Sequence, residues 1–588
     1  MDRQTGYPSI DKPWLKYYEE ADLKLRAPKC TIYKNIWANN HLFPDSAAIR
    51  YFGNKISYRQ LFSKTEAVVK ALKSSGVKRG DCVTLCTAGI PEALYVVLAC
   101  SRIGAIANFI NPLFTEAQIV ERINETNAEL LLVLDVLYLR MENLIRKTCI
   151  KKVVVMPIAN SASFIPATLM WLSGKKGLGV IGNKRKDVTH ISWSEFERAG
   201  QGVKETIEDQ YEQDAPAVMV YSSGSTGASK GIVLTNDGIN ATILNYQMSC
   251  YPFERGDQFL QMIPIWFSTG IVLSILMPLV QGITVILEPK FAVDSFIGDL
   301  KKYKPAMTIV ATSIWLSTIK DSGSKKLDLS NLKYPITGGE KVSITDEARM
   351  NAFLADHGCK GEMIKGYGMC ELGSTVTASN YSPKYSRTPG GNGYPILNVT
   401  VSAFDIESDK ELKYGEHGEI RVLSPARMKE YYKNPEATDQ FFKKDDQGKM
   451  WGCTGDIGYV NEDGEVFVLG RATDSFRMEN GKTVYLFDIE EEIFKEDGIE
   501  QCKVVDIEDN GKRVLVALIV LKQDTGQRAE EVLHKIVGRL LKTLPDYMQP
   551  AYYKVRESMP THKNGKRDVK ALREDREGLV EANLIYRR

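Results

Sequence analysis

Short apolar runs rich in β-branched residues alternate with longer segments of helical periodicity through the first half of the chain. The apolar spacing predicts helices over residues 67–74 and Pro91–Ile103, and strands over Cys82–Cys86 and 129–134. No repeat of fixed period is visible. Strands that alternate with helices of this length are typical of parallel sheets with crossover helices, so the pattern predicts an α/β fold.

The pattern changes near residue 415, where short predicted strands at 419–422 and 465–469 are separated by glycine and aspartate turns. A polar, turn-forming cluster then interrupts the hydrophobic pattern, and a further unit with its own strands and helices follows. We therefore predict a mixed α/β protein. Its large N-terminal domain, 1–474, has layered, mostly parallel sheets and a β-rich subdomain from about 400 to 474. A small α+β C-terminal domain, 475–588, follows.

Two apolar segments raise the question of a membrane. Residues 264–287 carry no charge, but Pro278 and Gly282 interrupt them, so we predict a buried helix followed by a buried strand. Residues 159–186 are apolar and then basic. We predict a surface insertion there, and the alternative is an amphipathic piece in weak contact with a membrane surface or a lipid substrate.

Composition excludes several classes of protein. Of 588 residues, 43% are hydrophobic and 26% charged, as in globular proteins, and a net charge of +2 argues against a nucleic-acid partner. The ten cysteines include no CxxC pair, so neither disulfides nor cysteine metal sites are predicted; Cys82 and Cys86 are expected in the core. The first residues resemble no signal peptide, and a cytoplasmic location is expected.

The strongest chemical signal is a glycine- and hydroxyl-rich loop at residues 221–231, Tyr-Ser-Ser-Gly-Ser-Thr-Gly-Ala-Ser-Lys-Gly, directly after a predicted strand. Backbone N–H groups and hydroxyls in such a loop can surround phosphate oxygens, and Lys230 adds positive charge. A Walker loop needs glycine before the lysine and serine or threonine after it, whereas Ser229 and Gly231 stand there, so a P-loop NTPase is disfavoured. The expected phosphate-binding residues are Ser222, Ser223, Gly224, Ser225, Thr226 and Gly227.

This loop resembles the phosphate loop of the adenylate-forming superfamily, which includes acyl-CoA synthetases, firefly-type luciferases and peptide-synthetase adenylation domains. Further motifs similar to those of the superfamily follow in its order along nearly the whole chain. They are Ile-Thr-Gly-Gly-Glu at 336–340, Gly-Tyr-Gly-Met-Cys-Glu at 366–371, Thr-Gly-Asp at 454–456, Gly-Arg at 470–471 with Asp474, Leu-Pro-Asp-Tyr-Met at 544–548 and Asn-Gly-Lys at 564–566.

The resemblance assigns the nucleoside as well as the phosphates. The adenine is expected beside the 336–340 loop and against the ring of Tyr367, and Asp456 can accept hydrogen bonds from both ribose hydroxyls. Cys370 stands where a threonine hydroxyl usually touches the α-phosphate, which weakens that contact. The expected ATP or AMP contacts outside the phosphate loop are Gly338, Gly339, Glu340, Tyr367, Gly368, Cys370, Asp456 and Arg471.

The same resemblance implies catalytic roles. Glu371, with Ser222, is expected to hold Mg²⁺ against the phosphates. Attack of a carboxylate on the α-phosphate brings two anions together, so cations must help; these are Lys230 and Lys566, the latter bridging the carboxylate and the α-phosphate. The resemblance therefore implies ATP, Mg²⁺ and CoA as substrates or cofactors.

Domain motion is also implied by the resemblance. The C-terminal domain is expected to rotate about Asp474, bringing Lys566 in for adenylate formation and removing it for thioester formation. Gly481 is assigned to the channel for the thiol of CoA. Its surroundings, 476–484, are similar to the corresponding stretch of long-chain fatty acyl-CoA synthetases.

The sequence constrains the identity of the acid and of the thiol less than it constrains the nucleotide. The segment 266–269 lacks the acid that would pair with an α-amino group, so an amino-acid substrate is disfavoured. Trp266, Phe267 and Gly270 are the expected acyl pocket, although these residues would suit a plain core equally well. We expect a hydrophobic acid, a fatty acid ahead of an aryl or sterol-type acid, and CoA as acceptor. The alternatives are a carrier-protein phosphopantetheine as the thiol, or a catalytically silent nucleotide-binding scaffold.

Overall fold

Five groups of paired strands form the framework of the protein in this computed structural model. The structure describes residues 5–163, 188–222, 229–250, 253–289, 295–379, 388–477, 483–509, 511–522, 528–560 and 568–586. Its strands, numbered along the chain, are β1 Ala47–Tyr51, β2 Asn54–Ser57, β3 Cys82–Cys86, β4 Ile106–Phe109, β5 Leu130–Leu134, β6 Lys152–Met156, β7 Thr189–Ser192, β8 Pro216–Tyr221, β9 Gly231–Thr235, β10 Gln258–Gln261, β11 Thr284–Leu287, β12 Met307–Val310, β13 Tyr334–Gly338, β14 Ile364–Tyr367, β15 Thr377–Ala378, β16 Tyr394–Pro395, β17 Thr400–Phe404, β18 Gly418–Leu423, β19 Glu430–Tyr431, β20 Phe442–Lys444, β21 Met450–Val460, β22 Val466–Arg471, β23 Ser475–Arg477, β24 Thr483–Tyr485, β25 Ile499–Asp509, β26 Lys512–Leu521, β27 Tyr552–Arg556 and β28 Val580–Glu581.

Helices connect these strands in the way that the sequence pattern predicts. The α-helices of the described residues are Pro8–Asp11, Glu20–Leu23, Ile32–Asn40, Tyr58–Ser74, Pro91–Ile103, Glu116–Thr126, Asp135–Ile145, Trp193–Gly200, Asn236–Cys250, Met277–Gln281, Phe296–Tyr303, Thr312–Lys320, Ile344–Asp356, Pro435–Phe441, Leu486–Phe494, Ala529–Thr543, Val569–Glu574 and Ala582–Tyr586. Three of them begin at reciprocal capping boxes, in which Ser57, Thr115 or Ser192 exchanges hydrogen bonds with a glutamine or glutamate three residues later.

Two large sheets are mostly parallel. The first has the order β16-β15-β14-β13-β12-β10-β11-β1-β2, and the second β19-β9-β8-β4-β3-β5-β6-β7. Pairing is parallel from β14 to β1 in the first sheet and from β8 to β7 in the second. It is antiparallel at both ends of the first sheet and at the β19 end of the second. Every residue of β3 and β5 is buried, because helices cover both faces of a parallel sheet. The predicted α/β fold is confirmed, and Cys82 and Cys86 are core residues as expected.

The uncharged stretch near residue 270 folds as predicted, into helix and then strand. A π-helical segment, Thr269–Leu276, runs into the helix Met277–Gln281, and Gly282 ends it at a φ of 78° before β11. All of Thr284–Leu287 is buried. Within the described parts of the chain, no helix is long and apolar enough to cross a membrane. Most of the predicted insertion at 159–186 lies outside the described residues.

The β-rich character predicted beyond residue 400 is also confirmed. A third sheet has the order β17-β18-β21-β20, with β22 pairing β21. The contacts divide the chain into two compact units: the first unit is Met1–Thr454 with Tyr459–Phe467, and the second unit is Gly455–Gly458 with Val468–Arg588. The strands β21 and β22 therefore contribute residues to both. The predicted domain boundary at residue 474 stays a prediction.

The second unit has an α+β core of its own. The hairpin β23-β24 precedes a sheet of order β25-β26-β27-β28, in which β26 and β27 are parallel and the outer pairs antiparallel. The helices Leu486–Phe494 and Ala529–Thr543 contribute buried aliphatic side chains that pack with those of the sheet, among them Ile489 and Ile536. The predicted small α+β C-terminal domain thus matches the architecture observed.

Candidate active site

Hydrogen bonds hold together the two described ends of the predicted phosphate loop. β8 and β9 pair antiparallel up to Tyr221 and Gly231, and beyond them the N–H of Ser222 donates to the carbonyl of Lys230 at 3.0 Å. The N–H of Lys230 donates to Oγ of Ser222 at 3.0 Å, and Oγ of Ser229 donates to the carbonyl of Ser222 at 2.8 Å. The hydroxyl oxygen of Ser222 therefore helps to close the loop. The other predicted loop residues lie outside the described residues: Ser223, Gly224, Ser225, Thr226 and Gly227.

One side chain joins two of the predicted catalytic residues. The short strand β19 pairs with β9, so that Tyr431 lies beside Ile232. The Tyr431 hydroxyl donates to Oε1 of Glu371 at 2.9 Å, and Nζ of Lys230 lies 4.7 Å from the centroid of the Tyr431 ring. Tyr431 is only 6% exposed. The structure thus brings Lys230 and Glu371 together around a buried tyrosine that the sequence reasoning missed.

Electrostatics keep this tyrosine neutral. Burial is the first cause that raises the pKa of Tyr431, and the neighbouring Glu371 carboxylate raises it further. The phenol therefore keeps its proton across the physiological range and can act as a donor to the carboxylate. Because one carboxylate oxygen is fixed by this bond and the acid is 7% exposed, Glu371 offers the oriented oxygen donors that Mg²⁺ prefers.

Backbone contacts fix the turn that carries Glu371. Residues Cys370–Leu372 form a short 3₁₀ turn after β14, and the carbonyl of Glu371 accepts from the N–H of Met428 at 2.7 Å. Ser374 has a left-handed φ of 76°, and its Oγ donates to Oγ of Ser268 at 2.8 Å. Ser268 belongs to the predicted acyl-pocket segment. The Glu371 turn and that segment are therefore linked by a buried hydrogen bond.

The predicted adenine loops lie at neighbouring strand ends. β13 and β14 are parallel, and Gly338 is paired with Gly366, so the residues after both strands meet at one edge of the sheet. At Gly368 a Cβ would lie 2.3 Å from the carbonyl oxygen of Ser374, which explains the glycine. Gly339 has a φ of +79° and Tyr367 is half-buried at the end of β14. Both positions are compatible with the expected nucleotide contacts, which stay predictions.

Glu340 has a structural contact that the motif did not predict. Its carboxylate accepts from the N–H of Ser313 at 2.9 Å and from Oγ of Ser313 at 3.2 Å. Ser313 lies in the first turn of the helix Thr312–Lys320, where N–H groups lack partners within the helix. Glu340 therefore caps this helix.

The predicted acyl-pocket residues surround a tight turn. Trp266 and Phe267 are half-buried, with ring centroids 6.3 Å apart. At Gly270 a Cβ would lie 2.1 Å from the carbonyl oxygen of Pro264, so any side chain there would force the backbone apart. Ser268 is fully buried. The segment is a tightly packed, mainly apolar wall that is hydrogen-bonded to the Glu371 turn.

The second unit contains the other predicted site residues that the structure describes. Asp456 is 6% exposed, and Nε of Arg471 lies 2.9 Å from its Oδ1. Asp474 lies in a 3₁₀ turn, and its Oδ2 pairs at 2.7 Å with Nζ of Lys503, which also lies 3.0 Å from Oε1 of Glu490.

Lys503 is 7% exposed and was missed by the sequence reasoning. The available signal was weak: Lys503 stands between the apolar Cys502 and Val504, in a strand that also carries several acidic residues. Two predicted residues, Gly481 and Lys566, lie outside the described residues. Among those described, no group of three or more His, Cys, Asp or Glu side chains is arranged to hold a metal ion.

Comparison with known proteins identifies the family. The sequence profile of the AMP-binding enzyme family matches residues 36–432, more than half of the chain, and that of the AMP-binding enzyme C-terminal domain matches 488–566. This chain belongs to the AMP-binding enzyme family. The predicted membership of the adenylate-forming superfamily is therefore confirmed.

Relatives of this AMP-binding enzyme are acid–CoA ligases. A long-chain-fatty-acid–CoA ligase of Bacillus subtilis (strain 168) is 24% identical over 559 residues, 94% of this chain and 96% of the relative. 4-Coumarate–CoA ligase 4 of Arabidopsis thaliana is 24% identical over 493 residues, which cover 83% of this chain and 81% of the relative. The predicted class, an AMP-forming acid–thiol ligase, is confirmed, whereas relatives with such different acids leave the substrate open.

Solved structures share the fold. ATP-bound MatB from Rhodopseudomonas palustris superposes with a TM-score of 0.77 at 22% identity, covering 94% of this chain and 99% of that one. The anthranilate CoA ligase AuaEII in complex with anthranoyl-AMP gives a TM-score of 0.76 at 20% identity, with coverage of 95% and 98%. At these identities the likeness concerns the fold alone.

Proposed function

We propose that this AMP-binding enzyme activates a hydrophobic carboxylic acid, a fatty acid in the first place, and transfers the acyl group to CoA. In the first half-reaction a carboxylate oxygen bonds to the α-phosphorus of ATP, and the bond to the β-phosphate oxygen breaks, releasing pyrophosphate. In the second, the CoA sulfur bonds to the acyl carbon, AMP leaves and the thiol proton is lost. Both half-reactions need a site that tolerates several negative charges at once.

The observation that carries this proposal is the cluster of Lys230, Tyr431 and Glu371. Lys230 lies near the end of the phosphate loop and holds its ammonium over an aromatic face, so its charge is available to phosphate oxygens. The side chain of Tyr431 lies between this ammonium and Glu371, and its hydroxyl orients the Glu371 carboxylate. A cation and an acid held apart in this manner suit the binding of a metal–triphosphate complex. Mg²⁺, held there by Glu371 and Ser222, would neutralise charge on the departing pyrophosphate.

The roles that we propose for the remaining site residues rest on their match to the family motifs. Asp456, paired with Arg471, is proposed to accept the ribose hydroxyls, and Lys566 to bridge the carboxylate and the α-phosphate. Gly481 is proposed to line the thiol channel. We also propose that the residues after Asp474 form a mobile domain that serves the two half-reactions in turn.

The choice of a hydrophobic acid is supported by the wall at 264–270. Trp266 and Phe267 supply apolar surface, and Ser268 is the polar residue bonded to the Glu371 turn. No acid stands at 266–269 to pair with a substrate ammonium group. The names of the relatives, long-chain-fatty-acid–CoA ligase and 4-coumarate–CoA ligase 4, support acids with large apolar parts.

The testing experiment measures pyrophosphate release from Mg-ATP across a panel of free acids, each with and without CoA. The panel contains fatty acids of about four to eighteen carbons together with aromatic, bile and amino acids. We expect multiple turnovers with a fatty acid in the presence of CoA, and formation of acyl-CoA and AMP in equal amounts.

Other outcomes would replace the proposal. Release that stops near one equivalent despite CoA would indicate a carrier-protein thiol as acceptor. Turnover with an aromatic or bile acid would change the substrate class. Tight binding of ATP or AMP with no release for any acid would indicate a silent nucleotide-binding scaffold.

A further inference from the structure

We infer that Tyr431 is a positioning residue of this enzyme, which orients Glu371 and Lys230 and keeps their charges from neutralising each other. This role rests on one part of the proposed function, the binding of a metal–triphosphate complex. The side chain touches both groups in different ways, the carboxylate through its hydroxyl at 2.9 Å and the ammonium through its ring at 4.7 Å.

The backbone around Tyr431 is tied to both partners. Tyr431 lies beside Ile232 in the β19–β9 pair, two residues from Lys230. Three residues earlier, the N–H of Met428 donates to the carbonyl of Glu371 at 2.7 Å. The N–H of Tyr431 itself donates to Oγ1 of Thr438 at 3.0 Å. The phenol is thus held between Lys230 and the Glu371 turn.

The chemistry of a neutral phenol suits the gap between a cation and an anion. A direct ion pair between Lys230 and Glu371 would satisfy each charge with the other and leave less for the substrate. The contact observed for the Lys230 ammonium is the Tyr431 ring, and among the ion pairs between described residues none includes Lys230. The ring face attracts the ammonium without removing its charge, and the hydroxyl occupies one acceptor position of the carboxylate.

The two contacts can be separated by substitution. Tyr431→Phe removes the hydroxyl and keeps the ring, so it should disturb Glu371 and spare Lys230. Tyr431→Leu removes both. A hydrogen bond to a charged group corresponds to about tenfold to a hundredfold in binding, and an ammonium–ring contact to about twofold to thirtyfold.

The matched control is Tyr432→Phe. It is the same chemical change one residue along the chain, on a side chain that packs against the core cluster around Cys82 and not against Glu371. Circular dichroism and tryptophan fluorescence compare the folding of all variants, so a general structural defect is detected separately from a local one.

The experiment measures ATP binding by titration calorimetry, once with Mg²⁺ and once with EDTA. We expect Tyr431→Phe to lose about tenfold to a hundredfold of the affinity measured with Mg²⁺ while the affinity in EDTA is unchanged. Tyr431→Leu should weaken binding under both conditions, and Tyr432→Phe under neither. In pyrophosphate release, Tyr431→Phe should raise the Mg²⁺ concentration needed for half-maximal rate.

A double-mutant cycle with Glu371→Gln keeps the role refutable if Tyr431→Leu fails to fold. If the hydroxyl acts through Glu371, then Tyr431→Phe should add little to the effect of Glu371→Gln on Mg²⁺-dependent binding. The role would be overturned if the effects of Tyr431→Phe and Glu371→Gln on Mg²⁺-dependent binding were fully additive. It would also be overturned if Tyr431→Phe and Tyr432→Phe bound ATP equally well. A wild-type affinity for ATP that does not respond to Mg²⁺ would overturn it as well. Mg²⁺-dependent ATP binding without pyrophosphate release would refute the proposed function and leave the positioning role standing.

Discussion

Replacing Lys503 by methionine should destabilise the second unit while leaving the first unit intact. Nζ of Lys503 pairs at 2.7 Å with Asp474 and at 3.0 Å with Glu490, and the three side chains are 9%, 21% and 11% exposed. Burial alone would lower the pKa of Lys503, but the two carboxylates outweigh it and raise the pKa, so the ammonium is charged at neutral pH.

The magnitude follows from what the substitution leaves behind. Methionine fills most of the volume of lysine but leaves two carboxylates of like charge with no cation between them. Removing one partner of a buried ion pair costs about 3–5 kcal/mol. Glu490 keeps one hydrogen bond, from the N–H of Val504 at 3.0 Å, and Asp474 is partly solvated. We therefore expect Lys503→Met to lower the stability of the second unit by the lower end of this range, about 3 kcal/mol.

The assay can separate the two units because all seven tryptophans lie at or before residue 451. Tryptophan fluorescence during denaturation thus reports on the first unit. Hydrogen exchange in peptides from β25 and β26 reports on the second. In Lys503→Met we expect exchange in these strands to speed up by about a hundredfold, at an unchanged fluorescence midpoint.

Two further variants make this prediction refutable. Lys495→Met is the control, because the Lys495 side chain that pairs with Glu492 is 61% exposed, and an ion pair with so exposed a cation contributes about 0–1 kcal/mol. Glu490→Gln added to Lys503→Met removes one unpaired charge and should restore part of the lost protection. Equal exchange in Lys503→Met and Lys495→Met would refute the reasoning.

Four other substitutions have defined outcomes. Gly270→Ala should lower the free energy of unfolding by more than about 2 kcal/mol, because its Cβ would meet the carbonyl of Pro264. The control is Gly298→Ala, in a helix with open space around the residue, which should be neutral or stabilising by about 0.5–1 kcal/mol. Urea denaturation measures the free energy of unfolding of both variants. Burial and the nearby Glu288 raise the pKa of Asp299 to about 6, so its ionisation weakens the fold as pH rises through about 4 to 6. Asp299→Asn should therefore raise Tm at pH 7.5 and have little effect at pH 4.5. Lys566→Ala should lose adenylate formation but convert supplied acyl-adenylate to thioester, measured as single turnovers; equal loss of both steps would contradict the alternation of domains.

Where both faces of a segment are buried, sequence pattern and structure agree closely. The strand Cys82–Cys86 and the helix Pro91–Ile103 have the predicted bounds, since nearly every residue of both is buried. The helix predicted for 67–74 instead begins at Tyr58. Tyr58, Leu61 and Phe62 already follow the helical spacing, and the capping box of Ser57 and Gln60 marks the start, so the prediction began the helix too late.

The site was predictable as far as its chemistry lies in contiguous motifs. Lys230 and Glu371 belong to such motifs, and in the structure both contact the side chain of Tyr431. Tyr431 itself was not predicted, because β19 has two residues and no periodicity, and its role depends on pairing with β9. Lys503 escaped for a similar reason, since its partners are 13 and 29 positions away in the chain and meet it only in the folded unit.

The contact between Asp474 and Lys503 also bears on how a mobile domain would turn. The Asp474 carboxylate is bound within the second unit, so its side chain is expected to travel with that unit in any rotation. The torsions that change would then be those of the residues before Asp474, or else the ion pair must break in each cycle. Lys503→Met distinguishes these cases in single-turnover assays. If the pair stays intact, its loss should leave the ratio of the two half-reaction rates unchanged. If it breaks in one conformation only, removing the lysine should favour that conformation and change the ratio in its direction.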